Sequence, residues 1–334
     1  MEDKVSVIIP SYNNESTIEE TLQSIQSQTY LSWEAIVVDD GSTDSTVSVV
    51  QNIALKDGRI ILIRRETEER GGSVCRNIGL RKSTGRFVMF LDADDLLTAD
   101  CLVKRVKVLK DSGLQFVIFT TATFGARGII DPEAFPTVRH SNNKVYLYLY
   151  AGTQAVWHTS STLFKKSFVE SLSGFDTRYK RLQDVEFHFR AIAESKGVFV
   201  FQEGKCDSLY RITESDGIKY KKYYDSLSSY RMISERVTHY VNNDIIRQDI
   251  LLSYSYLLLC VRYIRTVCLL NVGDNTCLKD VDYNFEWFNL KYLNKCQRIW
   301  LNVMIKTLSH PSLCLRLCKM FDYTLRKGIV ARCS

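Results

Sequence analysis

No glycine-rich phosphate loop opens this 334-residue chain. Where a dinucleotide-binding fold carries Gly-x-Gly-x-x-Gly after its first strand, Pro10-Ser11-Tyr12-Asn13-Asn14 stands instead. That disfavours a dinucleotide oxidoreductase, and a P-loop enzyme fails in the same way. A secretion signal is also missing: Met1-Glu2-Asp3-Lys4 leads directly into strand-like Val5-Ser6-Val7-Ile8-Ile9, without a basic segment and long apolar core. The N-terminal half is therefore expected in the cytoplasm. The ten cysteines form no close, regular framework, so reduced thiols are expected, most of them acting as small buried hydrophobes. Cys314 and Cys318 can share a helix face, but without a second ligand pair a zinc site is not expected. The most apolar run, Leu251 to Leu270, is interrupted by Arg262 and Arg265, which predicts a buried or interfacial helix rather than a membrane span. Clear multiple spans and internal repeats are missing too. With 45% hydrophobic and 25% charged residues, the composition is that of a globular protein large enough for one big domain and an appendage.

What the chain does have is acid at the ends of apolar strands. Phe87-Val88-Met89-Phe90-Leu91 runs into Asp92-Ala93-Asp94-Asp95, and Trp33-Glu34-Ala35-Ile36-Val37-Val38 runs into Asp39-Asp40-Gly41-Ser42. Carboxylates crowded at the end of a buried strand repel one another and are costly to desolvate, so a cation or a set of hydrogen-bond donors is expected among them. A hard divalent metal would answer that need. Such turns also serve as helix caps, and Ser42, Thr43 or Asp44 can cap the next helix. Capping needs only one side-chain oxygen, however, and leaves Asp39 and Asp40 unaccounted for. In an open parallel sheet the carboxyl ends of the strands form the ligand crevice, which makes the two clusters together a candidate site.

The first 120 residues alternate strand and helix. Strands are predicted over 5–9, 33–38, 60–64, 87–91 and 116–119, with helices starting near the capping-box spacing Ser16-Thr17-Ile18-Glu19 and over 45–56, 74–81 and 102–109. This βαβα order predicts a mostly parallel sheet with helices on both faces. From Ala122 to Tyr150 the periodicity fails, and Gly125, Gly128, Pro132 and Pro136 punctuate a segment that reads as an irregular active-site loop. Helices are expected again over 162–172 and 185–196, with a strand over 198–201. Beyond about Ile218 the pattern changes to long helices.

Several of these landmarks recur together, in order, over about residues 4 to 215: Val7-Ile8-Ile9-Pro10-Ser11-Tyr12-Asn13, Ser24-Ile25-Gln26-Ser27-Gln28-Thr29, Val38-Asp39-Asp40-Gly41-Ser42-Thr43-Asp44, Gly71 with Cys75-Arg76-Asn77-Ile78-Gly79, Leu91-Asp92-Ala93-Asp94-Asp95, Gly174-Phe175-Asp176, and Gln183-Asp184-Val185-Glu186-Phe187-His188-Phe189-Arg190. The set resembles the inverting family 2 glycosyltransferases. The resemblance implies a Rossmann-like α/β fold of the nucleotide-diphospho-sugar transferase (GT-A) type, with a mostly parallel central sheet. The catalytic domain would cover 1–217 and a mainly helical C-terminal region 218–334. It further implies that Pro10, Ser11, Tyr12 and Asp40 hold the nucleotide. Arg76 would approach the diphosphate or brace the carboxylates. Asp92-Ala93-Asp94 matches the family's Asp-x-Asp motif: Asp94 would bind Mg²⁺ or Mn²⁺, Asp92 would contact the ribose or the metal shell, and Asp95 would be their neighbour. Asp184 occupies the position of the catalytic base, with Glu186 its rival.

The chain departs from the family pattern at three places. Gln183 replaces the common Glu before the base, Glu69 stands where an Asn is often found, and Thr213 stands where a His often helps ligate metal or phosphate. Water is expected to complete the metal shell. The activity implied is inverting transfer of a sugar from a nucleotide-diphospho-sugar to a hydroxyl of a glycan or lipid-linked acceptor, in polysaccharide or glycoconjugate biosynthesis. A non-catalytic sugar-nucleotide-binding or assembly subunit is the alternative, and no nucleic-acid partner is expected. After Trp287 the charges are lopsided, with Lys291, Lys295, Arg298, Lys306, Arg316, Lys319, Arg326, Lys327 and Arg332 facing only Asp322. Such a tail suits either a solvated basic helix or a peripheral position on the anionic inner face of the plasma membrane.

Overall fold

The computed structural model describes residues 3–212, 220–273 and 290–333. Thr213, Trp287 and the expected boundary near residue 217 lie outside the described residues. The chain divides into two compact units, the first formed by Met1–Arg139, Val156–Thr177 and Glu194–Glu214, the second by His140–Ala155, Arg178–Ala193 and Ser215–Ser334.

The first unit follows the alternating pattern: β1 (Val5–Ser11), α1 (Ile18–Gln26), β2 (Trp33–Asp39), α2 (Thr46–Ala54), β3 (Ile60–Arg64), α3 (Gly72–Lys82), β4 (Phe87–Phe90), β5 (Leu96–Leu97), α4 (Cys101–Leu109), β6 (Phe116–Phe119), β7 (Thr121–Gly125) and β8 (Gly128–Phe135). After α5 (Lys144–Ala151), which belongs to the second unit, come β9 (Thr162–Lys165) and α6 (Lys166–Ser171). β10 (Phe199–Gln202) and β11 (Ser208–Arg211) complete the first unit beyond α7 (Gln183–Glu194). Seven strands form the main sheet in the order β10-β6-β9-β4-β1-β2-β3, and a smaller sheet runs β5-β11-β7-β8. Every neighbour pair of the main sheet is parallel except those of β9, which runs antiparallel to β4 and β6. Every residue of β2 and β4 is buried, as continuous apolar strands covered on both faces require. The helical stripe Ile18, Leu22 and Ile25 packs into the same core as Val5, Val37 and Met89.

Three local expectations are corrected. The segment 122–150 is not an irregular loop: β7 and β8 pair as an antiparallel hairpin and α5 follows. β8 is exposed along most of its length, so hydrophobic alternation could not announce it. Residues 162–172 are not one helix, because Thr162 to Lys165 fill the sheet between β4 and β6, where Leu163 and Phe164 are both fully buried. The Ser16–Glu19 capping box does not form. Thr17 precedes α1 without a side-chain cap, and its hydroxyl instead donates to the Ala93 carbonyl at 3.0 Å, joined by Thr21 Oγ at 3.1 Å.

The second unit contains α5, α7, α8 (Tyr220–Asn242), α9 (Ile250–Gly273), α10 (Lys295–Lys306) and α11 (Pro311–Cys333). By length and composition Ile250–Leu270 could cross a membrane, but 72% of its apolar window is buried, so α9 is the core helix of this unit, packed against α5, α8, α10 and α11. Arg262, which breaks the apolar run, reaches Asp322 at 2.7 Å and the Thr153 carbonyl at 2.5 Å. Cys314 and Cys318 are buried against this core.

Candidate active site

β1, β2 and β4 end side by side. Ser11 pairs in register with Asp39, and Ile8 with Phe90, so Pro10-Ser11-Tyr12, Asp39-Asp40 and the Asp92–Asp95 turn leave the sheet at the same carboxyl edge. Asp39 is buried and folds its own turn, accepting from the backbone N–H of Gly41 (3.0 Å) and Ser42 (3.1 Å), where Gly41 takes φ +89°. Asp40 accepts from Arg65 Nε at 2.5 Å with one oxygen and from the Gly71 N–H at 2.9 Å with the other, which ties β2 to the start of α3. Asn13 crosses to the same loop, its Oδ1 accepting from the Thr43 N–H at 2.9 Å. Tyr12 stands out of this edge, 54% exposed.

Helix α3 is pressed onto β1 at Gly79, where a Cβ would sit 2.4 Å from Ile8 Cγ2. Two residues earlier, Asn77 exchanges two hydrogen bonds with the Phe175 backbone, each 2.8 Å. Gly174, at φ +67°, leaves room for that amide, since a Cβ there would meet Asn77 Oδ1 at 2.4 Å. This lock seats Phe175 against Phe90, centroids 5.0 Å apart, and beneath the Arg76 guanidinium. Buried Arg76 donates from Nη2 to Asp92 Oδ1 at 2.6 Å, while its Nε and Nη1 are buried with no hydrogen-bond partner. Two desolvated N–H groups left in this state are costly unless an acceptor arrives.

Asp92, Asp95 and His158 each present a ligand atom within 4.8 Å of the others, a set that can hold a metal ion. His158 Nε2 is 3.9 Å from Asp92 Oδ2, and His158 Nδ1 is 3.4 Å from Asp95 Oδ2. Asp95 Oδ1 accepts from the Arg211 N–H at 3.0 Å, whereas its buried Oδ2 accepts no hydrogen bond. Burial, and then the charge of Asp92, pushes the Asp95 carboxyl well above the usual carboxylate range. The same two causes raise Asp94. Burial acts on Asp92 too, but Arg76 and His158 outweigh it and hold Asp92 below that range. Two carboxylates, Asp95 buried and Asp92 partly exposed, and an imidazole, with one carboxylate oxygen unsatisfied, fit a hard divalent cation.

The Glycosyl transferase family 2 profile matches residues 6–170. Residues 6–170 are thus a glycosyltransferase family 2 domain. A 113-residue stretch is 38% identical to the Escherichia coli UDP-Glc:alpha-D-GlcNAc-diphosphoundecaprenol beta-1,3-glucosyltransferase WfgD, covering 34% of this chain and 44% of that enzyme. The chain spans about half the length of the curated relatives it matches first. Among solved structures, Staphylococcus aureus TarS 1-349 in complex with UDP superposes with a TM-score of 0.62 at 18% identity, covering 97% of this chain and 92% of that one. The Pyrobaculum calidifontis mannosyltransferase PcManGT, in complex with GDP-Man and Mn²⁺, gives 0.54 at 21% identity, covering 93% and 86%. At such identities the likeness is one of fold, and it is the GT-A fold.

Within this family 2 domain, Arg76, Asp92 and Asp95 come together at the end of β4, while Asp40 stands at the end of β2, on the far side of β1. Asp94 is partly exposed and not a member of the Asp92–Asp95–His158 cluster; its backbone carbonyl accepts from Arg211 Nε at 2.8 Å. His158 was not foreseen as a ligand. It lies 63 residues after Asp95 on a turn whose only sequence mark is Trp157-His158-Thr159-Ser160. A fully buried Arg105 holds that turn, donating to the Ser160 carbonyl at 2.7 Å and forking onto Asp207 at 2.6 and 2.9 Å. Asp184 belongs to the second unit, half-buried in the first turn of α7. Glu186, two residues on, is 1% exposed and committed to Arg190 at 2.6 and 2.9 Å and to Arg236 at 3.2 Å.

Proposed function

We propose that this chain is an inverting glycosyltransferase that moves a sugar from a nucleotide-diphospho-sugar to a hydroxyl of a glycan or lipid-linked acceptor, on the cytoplasmic side of a membrane. The observation that carries the reading is the cluster of Asp92, Asp95 and His158, set in a family 2 domain beside the unpartnered N–H groups of Arg76. Pro10, Ser11, Tyr12 and Asp40 line the nucleotide side, where a carboxylate accepts from a base imide or ribose hydroxyl and an exposed ring offers a stacking face. Arg76 takes the donor's phosphate oxygens on its free N–H groups, a charge-assisted contact.

Asp92, Asp95 and His158 would hold Mg²⁺ or Mn²⁺, with Asp94 as their neighbour in the same turn. When bound, the ion neutralises the negative charge that grows on the departing nucleoside diphosphate. His158 thereby supplies the nitrogen ligand that the sequence lacks at Thr213. Asp184 removes the acceptor hydroxyl proton as that oxygen bonds to the anomeric carbon, and the bond from carbon to the phosphate oxygen breaks on the opposite face. Configuration inverts, and no covalent enzyme intermediate forms. Glu186 is a poor rival for the base, because two arginines already hold its carboxylate. Similar acceptor chemistry is named for the E. coli relative, whose substrate carries a diphosphoundecaprenol.

Release of nucleoside diphosphate from a panel of nucleotide sugars, with and without divalent metal, tests the proposal. Metal-dependent turnover of at least one donor is expected. Saturable donor binding without turnover of any donor, given acceptor extracts, would instead mark a binding subunit.

A further inference from the structure

Two helices of the second unit turn apolar side chains outward. On α10, Leu301 and Met304 face the core, yet Cys296, Ile299, Trp300 and Val303, at i, i+3, i+4 and i+7, are all exposed. On α11, Cys314, Cys318, Leu325 and Ile329 are buried, while Leu313, Met320 and Tyr323 are about half exposed on the other side. The Trp300 and Phe321 rings lie 5.4 Å apart and join the two stripes into one face. Single exposed hydrophobes are ordinary; a continuous apolar face opposite a helix's own core face marks an interaction surface.

The charge around that face is of one sign. Lys295, Arg298 and Lys306 on α10 and Arg316, Lys319 and Lys327 on α11 are exposed. The one acidic residue among the described residues from 290 on, Asp322, is buried and paired with Arg262 and Arg326. We propose that this face docks on an anionic lipid bilayer, with the apolar stripes at the headgroup boundary and the cations among the headgroups.

The alternatives each meet half of the requirement. A second copy would bring two cationic faces together, with no exposed carboxylate on α10 or α11 among the described residues to offset them. A nucleic acid would satisfy the cations and leave the apolar stripe unburied. An anionic bilayer satisfies both, and the aromatic tips of Trp300 and Tyr323 suit its interface. Helix α9 is not the anchor, since most of its apolar surface is already buried. Because docking needs no donor, this inference stands apart from the sugar-transfer reading, and either can fail alone.

The test uses the full chain and vesicles of phosphatidylcholine alone or mixed with phosphatidylglycerol. Pelleting with the mixed vesicles only, weakening as salt rises, is expected, together with a blue shift of tryptophan emission that Trp300→Phe removes. Exchanging Lys295, Lys319 and Lys327 for Gln should weaken partitioning about hundredfold. Ile299→Ser with Val303→Ser should weaken it as well, while unchanged circular dichroism and thermal midpoint show that the fold is retained. Equal pelleting of all these proteins, or equal binding to neutral vesicles, would overturn the proposal. So would concentration-dependent dimerisation lost in the Ile299→Ser and Val303→Ser protein without vesicle binding, which would assign the face to a second copy.

Discussion

Replacing Asp207 by Asn probes how the first unit holds its His158 turn. Arg105 and Asp207 are 102 residues apart in sequence, both fully buried, and joined by two hydrogen bonds of 2.6 and 2.9 Å. The guanidinium also donates to Ser208 Oγ at 3.1 Å and to the Ser160 carbonyl at 2.7 Å. Arg105 cannot escape by losing its proton: burial works against its charge, but Asp207 outweighs burial and raises its pKa further. Removing the carboxylate therefore strands a buried cation, which costs about 3–5 kcal/mol. Because the Asn carbonyl can still accept one bond, Asp207→Asn should fall at the lower end, near 3 kcal/mol, in urea unfolding followed by circular dichroism. The pair Arg105→Met with Asp207→Leu, which removes both charges, should cost clearly less than the sum of its single changes. Mn²⁺ affinity measured by calorimetry should fall in Asp207→Asn, since Ser160, held by Arg105, lies 2.8 Å from His158 Nδ1. A loss below about 1 kcal/mol, the size expected of a solvated pair, would refute the reasoning.

Sugar transfer should stop with excess chelator and return with Mn²⁺ or Mg²⁺, and both Asp92→Asn and His158→Ala should raise the metal concentration needed; full activity in chelator would remove the metal from the proposal. Asp184→Asn should keep calorimetric donor affinity and lower transfer by about 10²–10⁴, whereas near-normal turnover would place the base elsewhere. Glu34 is buried; burial raises its carboxyl, but bonds from Lys4 (2.7 Å), Ser6 (2.6 Å) and the Thr84 N–H (2.7 Å) outweigh this and hold it below the usual carboxylate range. A carboxyl with a lower pKa folded than unfolded contributes stability that is complete above the unfolded value and lost as pH falls through the folded one. Glu34→Gln should therefore cost stability at neutral pH and much less in acid; an equal loss at both would show that the charge is not responsible.

Much of the site was legible because its signals are local. An apolar strand ending in acid, as at Leu91-Asp92 and Val38-Asp39, declares both a buried strand and a carboxylate at its tip, and the order of such strands predicted the parallel sheet. The same local signals could not separate roles within a cluster. Asp39 and Asp40 read alike, yet one closes its own turn and the other clasps Arg65 and Gly71. Asn77 and Gly174 stood in motifs as equals of Arg76, and only packing shows that they lock the segment that seats it.

Sequence alone determined the alternating α/β order, the acidic edge and the basic tail, since each follows from composition and spacing within a few residues. Tertiary structure decided what depends on partners far along the chain. It made Thr162–Lys165 a strand, because a gap between β4 and β6 had to be filled by an apolar pair. It brought His158 to Asp92 and Asp95 through a buried ion pair formed 102 residues apart. On α10 it also settled which side of the helix faces the core, leaving Trp300 to solvent. A helix with apolar residues on two sides can bury only one against its neighbours, and nothing in its own spacing says which.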